Sequence, residues 1–173
     1  AEHALGMLLA LANNFLRGDR AVRRKNWQRE KNRGFEIMGR TVGIIGFGHT
    51  GSQFAKKLSG MGVKVLAYDK YKTDYTNNFE QVRETTLEDI LTNADIISLH
   101  LPFTPETKHL VNSDFLKNCK DGVILINTSR GHVAKTQDLI VGLKSGKIGG
   151  ACLDVFENEK TATFSQEEDA MYK

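Results

Sequence analysis

The chain has 173 residues, 40% hydrophobic and 26% charged, with a formal net charge of +3; that is enough for one domain with a proper core and too short for two of ordinary size. No apolar run approaches the roughly 18 residues that span a bilayer, and no basic stretch precedes the opening apolar segment, so neither membrane insertion nor a secretory leader is expected. Residues 17–40 carry nine Lys and Arg against three Asp and Glu, yet only Trp27 and Phe35 interleave with them, so a solvated face is expected rather than a nucleic-acid partner.

Residues 1–16 place Leu5, Leu8, Leu9, Ala12, Phe15 and Leu16 at helical spacing, with Met7 and Leu11 on another side. A helix apolar nearly all round must be covered on several faces, so residues 1–16 are expected to pack on a second subunit, as in a homodimer, or on another domain. Residues 17–39 read as a basic connector with one short helix. From there short apolar runs alternate with amphipathic segments. Strands are predicted at 41–46 (TVGIIG), 63–68 (VKVLAY), 95–100 (DIISLH), 122–127 (GVILIN) and 148–155 (IGGACLDV). Helices are predicted at 50–61, 87–93, 112–119 with Asn112 or Ser113 as N-cap, and 136–144 ending at Gly146. Residues 157–173 form an acidic tail, with five acidic side chains between Glu157 and Asp169 against Lys160. Cys119 and Cys152 lie 33 residues apart, with no metal or redox spacing. They read as buried thiols in a reducing cytoplasm, and no metal site is expected.

Near-continuous apolar strands alternating with helices imply an α/β domain over residues 40–156, a doubly wound parallel sheet with helices on both faces. Gly46-Phe47-Gly48-His49-Thr50-Gly51 is a G-x-G-x-x-G that follows a predicted strand and opens a predicted helix, the context that gives this pattern its meaning and makes the fold Rossmann-type. Gly46 permits the turn, Gly48 lets the backbone approach a pyrophosphate, and Gly51 lets helix pack on strand. The helix N-terminus offers N–H groups and partial positive charge, with His49 and Thr50 as the candidate phosphate donors. Asp69 ends the next strand 18 residues after Gly51, where a carboxylate accepts from both ribose hydroxyls and repels a 2′-phosphate. NAD rather than NADP is the expected cofactor, although Lys70 and Lys72 follow.

Four boxes in order carry a resemblance. Gly43-Ile44-Ile45-Gly46-Phe47-Gly48-His49-Thr50-Gly51-Ser52-Gln53, Ser98-Leu99-His100-Leu101-Pro102, Asn127-Thr128-Ser129-Arg130-Gly131 and Leu153-Asp154-Val155-Phe156-Glu157-Asn158-Glu159 resemble, over nearly the whole chain, the NAD-binding domain of the D-isomer-specific 2-hydroxyacid dehydrogenase family. His49 and Gln53 resemble its D-3-phosphoglycerate dehydrogenase branch. The resemblance implies hydride transfer between C2 of a small 2-hydroxy or 2-oxo acid and C4 of nicotinamide. It implies that Arg130 fixes the substrate carboxylate and polarises the ketone, a task that suits a guanidinium fork. It also implies that Glu159 partners a catalytic histidine and raises its pKa. Leu101, Pro102, Thr128, Ser129, Arg130 and Asp154 fall on its cofactor-contact positions, whereas Glu157 falls on a variable one.

Lys160 stands where the family usually has Pro. The family's histidine lies in a later Pro-His segment that residues 1–173 do not match, and none of His3, His49, His100, His109 and His132 replaces it. The smaller substrate domain is also absent. The expectation is a piece of a longer enzyme that binds NAD and has negligible turnover alone. The resemblance points first to 3-phosphoglycerate, at the start of serine synthesis, with D-lactate or another D-2-hydroxy acid as the alternative. A non-catalytic NAD(H)-sensing module of the corepressor kind is the rival class. A nucleotide-sugar enzyme is disfavoured by the 127–131 box.

Overall fold

The computed structural model describes residues 1–172. Six strands form one parallel sheet: β1 (Thr41–Ile45), β2 (Lys64–Tyr68), β3 (Val82–Glu84), β4 (Ile96–Leu99), β5 (Val123–Asn127) and β6 (Ile148–Leu153). Their spatial order is β3-β2-β1-β4-β5-β6, the doubly wound arrangement of dinucleotide-binding domains. The helices are α1 (Glu2–Ala12), α2 (Phe15–Arg23), α3 (His49–Leu58), α4 (Leu87–Asn93), α5 (Ser113–Asn118), α6 (Thr136–Ser145) and α7 (Gln166–Tyr172). No helix among the described residues is long and apolar enough to cross a membrane.

Alternate residues of each strand enter opposite cores, as the period of two requires. Ile44, Val65, Ile96 and Ile126 face a layer built by Leu8 of α1 and Phe54 and Leu58 of α3. Ile45, Leu66, Ile97 and Leu125 face the other layer, built by Ile90 of α4, Phe115 of α5 and Leu139 of α6. Two side-chain caps start helices on that second layer. Thr86 accepts the Asp89 N–H at 3.1 Å, and Asn112 accepts the Phe115 N–H at 3.0 Å.

The structure departs from the sequence expectations in four places. The single helix expected over residues 1–16 is two. Asn14 adopts a left-handed conformation at φ 52°, which Asn tolerates better than most residues, and its side-chain amide donates to the Arg33 carbonyl at 3.1 Å. α1 is partly covered within this chain, with Ala4, Leu8 and Ala12 buried and Leu5, Met7, Leu9 and Leu11 half-buried; Phe15 and Leu16, beyond the break, are exposed. The edge strand β3 went unpredicted because its three residues bury one side chain, Val82, too little for a periodic signal. The acidic tail contains α7, held to α6 by a Lys144–Glu167 ion pair of 2.7 Å. β6 stops at Leu153, two residues before the predicted end.

The corner from β1 to α3 leaves no slack. Gly46 sits at φ +92°, and its N–H donates to the Tyr68 carbonyl at 2.8 Å. A Cβ on Gly46 would strike the His100 carbonyl oxygen, and one on Gly51 would strike the Gly46 carbonyl oxygen. His100 closes the neighbouring strand end, its Nε2 2.9 Å from Ser98 Oγ and its ring 5.4 Å from that of Phe54. Burial pushes the His100 pKa down to about 4.

Gly51→Ala should destabilise the chain by about 1–3 kcal/mol, because the new methyl meets backbone that cannot rotate away; urea titration measures this, with the equally helical Ser52→Ala as the control. A second expectation follows from His100. Its folded pKa lies below the ordinary 6.5, so the stability it contributes is complete above that value and is lost as pH falls toward about 4. Asp95 and Glu157 are also held low, but from ordinary values of 3.8 and 4.5, so their losses begin at lower pH. Unfolding free energy should fall by on the order of 1–2 kcal/mol between pH 7 and pH 5, and His100→Gln should flatten that fall.

Candidate active site and cofactor cleft

The ends of β1, β2, β4, β5 and β6 bring Gly46 to Gly51, Asp69, His100 to Pro102, Thr128 to Gly131 and Asp154 to one rim of the sheet. β1 lies between β2 and β4, so successive crossovers leave in opposite directions and open a crevice where ligands of such sheets bind.

On one side of the crevice stands the nucleotide corner. α3 begins at His49 with Gly48 as N-cap and no side chain capping it. His49 and Thr50 are exposed, and the N-terminal N–H groups carry the helix's partial positive charge. A Cβ on Gly48 meets no protein atom within 4 Å, so the protein's own packing does not require this glycine; a ligand pressed against the backbone would.

Asp69 faces the loop. Its Oδ2 accepts the Phe47 N–H at 2.9 Å and its Oδ1 the Tyr71 N–H at 3.0 Å. A carboxylate has about four acceptor positions, so two stay free for hydroxyl donors. Of the basic neighbours, Lys70 pairs with Glu106 at 2.6 Å, and Lys72 donates to the Phe47 carbonyl of the same loop at 2.9 Å.

Sequence reading passed over the support behind Asp69. Tyr75 Oη accepts the Asp69 N–H at 3.0 Å and donates to the Ala67 carbonyl at 2.9 Å, while burial pushes the phenol pKa up to about 12. The Phe47 ring lies tilted against Tyr75 and meets Phe79 edge-on, at 5.2 and 5.1 Å. Aromatics spaced four apart in an otherwise polar loop were the available signal.

On the other side, buried Asn127 shapes the turn after β5. Its Oδ1 accepts from the Ser129 N–H at 3.1 Å and the Ser129 hydroxyl at 2.8 Å, and its Nδ2 donates to the Arg130 carbonyl at 3.0 Å. Asn127 belongs to the 127–131 box, but its role is to bend the backbone, which the motif alone does not reveal. Thr128 Oγ1 is buried and has no partner among the described residues, an uncommon condition for a polar atom and one that a ligand relieves. Arg130 is exposed; its guanidinium donates to the Ser129 carbonyl at 2.7 Å and pairs with no carboxylate among the described residues. Leu101 is half-buried and Pro102 exposed, beside the Gly46 corner.

The segment after β6 holds the carboxylates. The Asp154 N–H donates to the Asn127 carbonyl at 3.0 Å, and its side chain pairs with His3 of α1 at 3.0 Å, a partnership between chain ends that spacing does not reveal. Glu159 is exposed and makes no hydrogen bond or ion pair among the described residues, so the structure does not join it to Arg130. Glu157 is the engaged acid: Oε1 lies 2.5 Å from His109 Nε2, and Oε2 accepts the Thr136 N–H at 2.9 Å. Burial opposes the charge, yet these two donors hold the Glu157 carboxyl below the ordinary range.

The buried Thr128 hydroxyl, the unfilled space above Gly48 and the two free acceptor positions of Asp69 together suit a dinucleotide lying across the switch point. Comparison with known proteins agrees. Residues 5–170 match the family model "D-isomer specific 2-hydroxyacid dehydrogenase, NAD binding domain". The chain is 40% identical over 170 residues to a 2-hydroxyacid dehydrogenase homolog of Zymomonas mobilis, covering 98% of this chain and 51% of that protein. It is 36% identical to a D-3-phosphoglycerate dehydrogenase of Archaeoglobus fulgidus over 92% of this chain and 30% of that one. Among solved structures, D-lactate dehydrogenase from Aquifex aeolicus complexed with NAD and lactic acid superposes with a TM-score of 0.87 at 35% identity, over 99% of this chain and 54% of that one. The chain thus spans about half the length, or less, of the relatives it matches. It belongs to the D-isomer-specific 2-hydroxyacid dehydrogenase family, of which it is the NAD-binding domain.

Proposed function

We propose that the complete protein is an NAD-dependent D-2-hydroxyacid dehydrogenase in which this domain holds the cofactor and supplies the substrate-binding cation. The observation that carries the reading is Arg130, an uncompensated guanidinium on the same rim as the nucleotide corner. NAD, when bound, supplies or takes up the hydride. The backbone N–H groups of His49, Thr50 and Gly51, beside Gly46 and Gly48, hold the diphosphate at the positive end of α3. Asp69 holds the adenosine ribose. Leu101, Pro102, Thr128, Ser129 and Asp154 flank the nicotinamide half. Arg130 draws the substrate carboxylate to the rim and polarises the adjacent ketone. Glu159, which has no hydrogen bond or ion pair among the described residues, serves by orienting the catalytic histidine that the family supplies. This chain alone then binds NAD with negligible turnover.

For the substrate, the His49 and Gln53 wording of the nucleotide loop supports 3-phosphoglycerate. D-lactate is the second reading, carried by the likeness to the Aquifex lactate dehydrogenase. Exposed Phe15, Leu16 and Val22 on α2 support pairing with a second copy, and two free, buried cysteines suit a reducing, cytoplasmic setting.

Asp69→Arg should weaken NAD by roughly 10- to 100-fold, as loss of charge-assisted hydrogen bonds predicts, and weaken NADP less. Calorimetric titration with both cofactors measures this; an unchanged ratio of affinities would remove Asp69 from the ribose site. Separately, the complete enzyme assayed with D-3-phosphoglycerate, D-lactate and D-glycerate should show the largest kcat/KM with the phosphorylated acid. A preference for lactate replaces that substrate by the second reading, and no turnover with any 2-hydroxy acid refutes the dehydrogenase reading.

A further inference from the structure

Glu157 has partners on two other segments, and each of the three segments leads to the rim. Its Oε1 holds His109, whose N–H donates to the His132 carbonyl at 2.8 Å. His109 belongs to the loop that begins with Leu101 and Pro102. Its backbone takes a left-handed φ of 53°, which His adopts more readily than most non-glycine residues. Two residues on, the Val111 N–H donates to the Val133 carbonyl at 3.0 Å and the Val111 carbonyl accepts the Lys135 N–H at 2.9 Å. The β4 loop is thereby laced to the segment that follows Arg130. Glu157 Oε2 takes the first N–H of α6, at Thr136, where no side chain of Lys135 caps the helix. Between these anchors the chain comes so close that a Cβ on Gly131 would strike the Phe156 carbonyl, and lie 2.7 Å from the Glu157 nitrogen.

These contacts have one geometric consequence. Gly131 follows Arg130 directly, and Glu157 precedes Glu159 by two residues. A carboxylate that clamps His109 and Thr136 together therefore sets where the Arg130 turn ends and where the Glu159 segment begins. We infer that Glu157, with His109 as its partner, is a positioning residue that holds the Arg130 turn and the Glu159 segment in register across the rim. It touches neither reactant; it acts through Arg130 and Glu159, and the inference rests on the dehydrogenase reading of those two. The nucleotide corner at residues 46–51 and Asp69 shares none of these contacts. The adenosine and diphosphate contacts should survive loss of Glu157, so the acid substrate should suffer far more than NAD.

The test uses the complete enzyme with Glu157→Ala, Glu157→Gln and His109→Ala. Glu157→Ala should lower kcat/KM for the 2-hydroxy acid by tenfold or more and weaken oxamate, a 2-oxo acid mimic, in the NAD complex by a similar factor. The Kd for NAD should stay within twofold. Glu157→Gln keeps an oxygen for the Thr136 N–H and an amide for the imidazole, and should recover kcat/KM to within threefold. His109→Ala should behave like Glu157→Ala, and the double variant should be no worse than either alone. Amide exchange across residues 129–136 reads the clamp without substrate and should quicken in Glu157→Ala while residues 49–58 stay protected. Wild-type substrate kinetics and exchange in Glu157→Ala overturn the inference. So does a parallel loss of NAD and oxamate binding that Gln does not rescue. A wild-type enzyme without turnover fails the dehydrogenase reading instead, and the exchange result still decides whether the clamp exists.

Discussion

The contact on which the rest of the domain depends is the backbone of Gly51 lying against the carbonyl of Gly46, with no room for a Cβ on either. It brings the first turn of α3 down onto the end of β1. The helix's unpaired N–H groups then face the crevice rather than solvent at large. Because Gly46 also abuts the His100 carbonyl, the same corner fixes the neighbouring strand end. Two walls of the crevice are thus set by backbone packing, before any side chain is placed.

Side-chain hydrogen bonds place the remaining wall. Asn127 folds the 128–130 turn from beneath, and its carbonyl takes the Asp154 N–H. One buried residue therefore joins the exits of β5 and β6. Tyr75 does corresponding work for Asp69. In both cases a polar side chain with every strong group satisfied holds a backbone that presents a different residue to the ligand. Such placement costs little, since the buried polar atoms are paired. Thr128 Oγ1 is the exception among the described residues, and it lies where a ligand is expected.

Charge is arranged unevenly around this rim. Asp69, Asp154 and Glu157 all have donors, and Lys70 and Lys72 are engaged with Glu106 and a carbonyl. Arg130 alone among the named rim groups has no acid opposite it. In the dehydrogenase reading proposed above, this cation is the group that would draw a carboxylate substrate to the rim. Glu159 remains outside this network, exposed and without a hydrogen bond or ion pair among the described residues.

The sequence by itself determined five of the six strands, the glycine corner, Asp69 one strand over and the residues that gather at the strand ends. Apolar runs of strand length and glycines at forced positions report local sterics, which need no knowledge of distant neighbours. It could not show that Asn14 would break the first helix by reaching Arg33, that His3 would meet Asp154, or that Glu157 rather than Glu159 would be the bonded acid. Each depends on which residues the fold brings together across 19, 151 and 48 positions of chain. The partners of a carboxylate are chosen by that juxtaposition and by burial, and neither is written in the spacing of the acidic residues themselves.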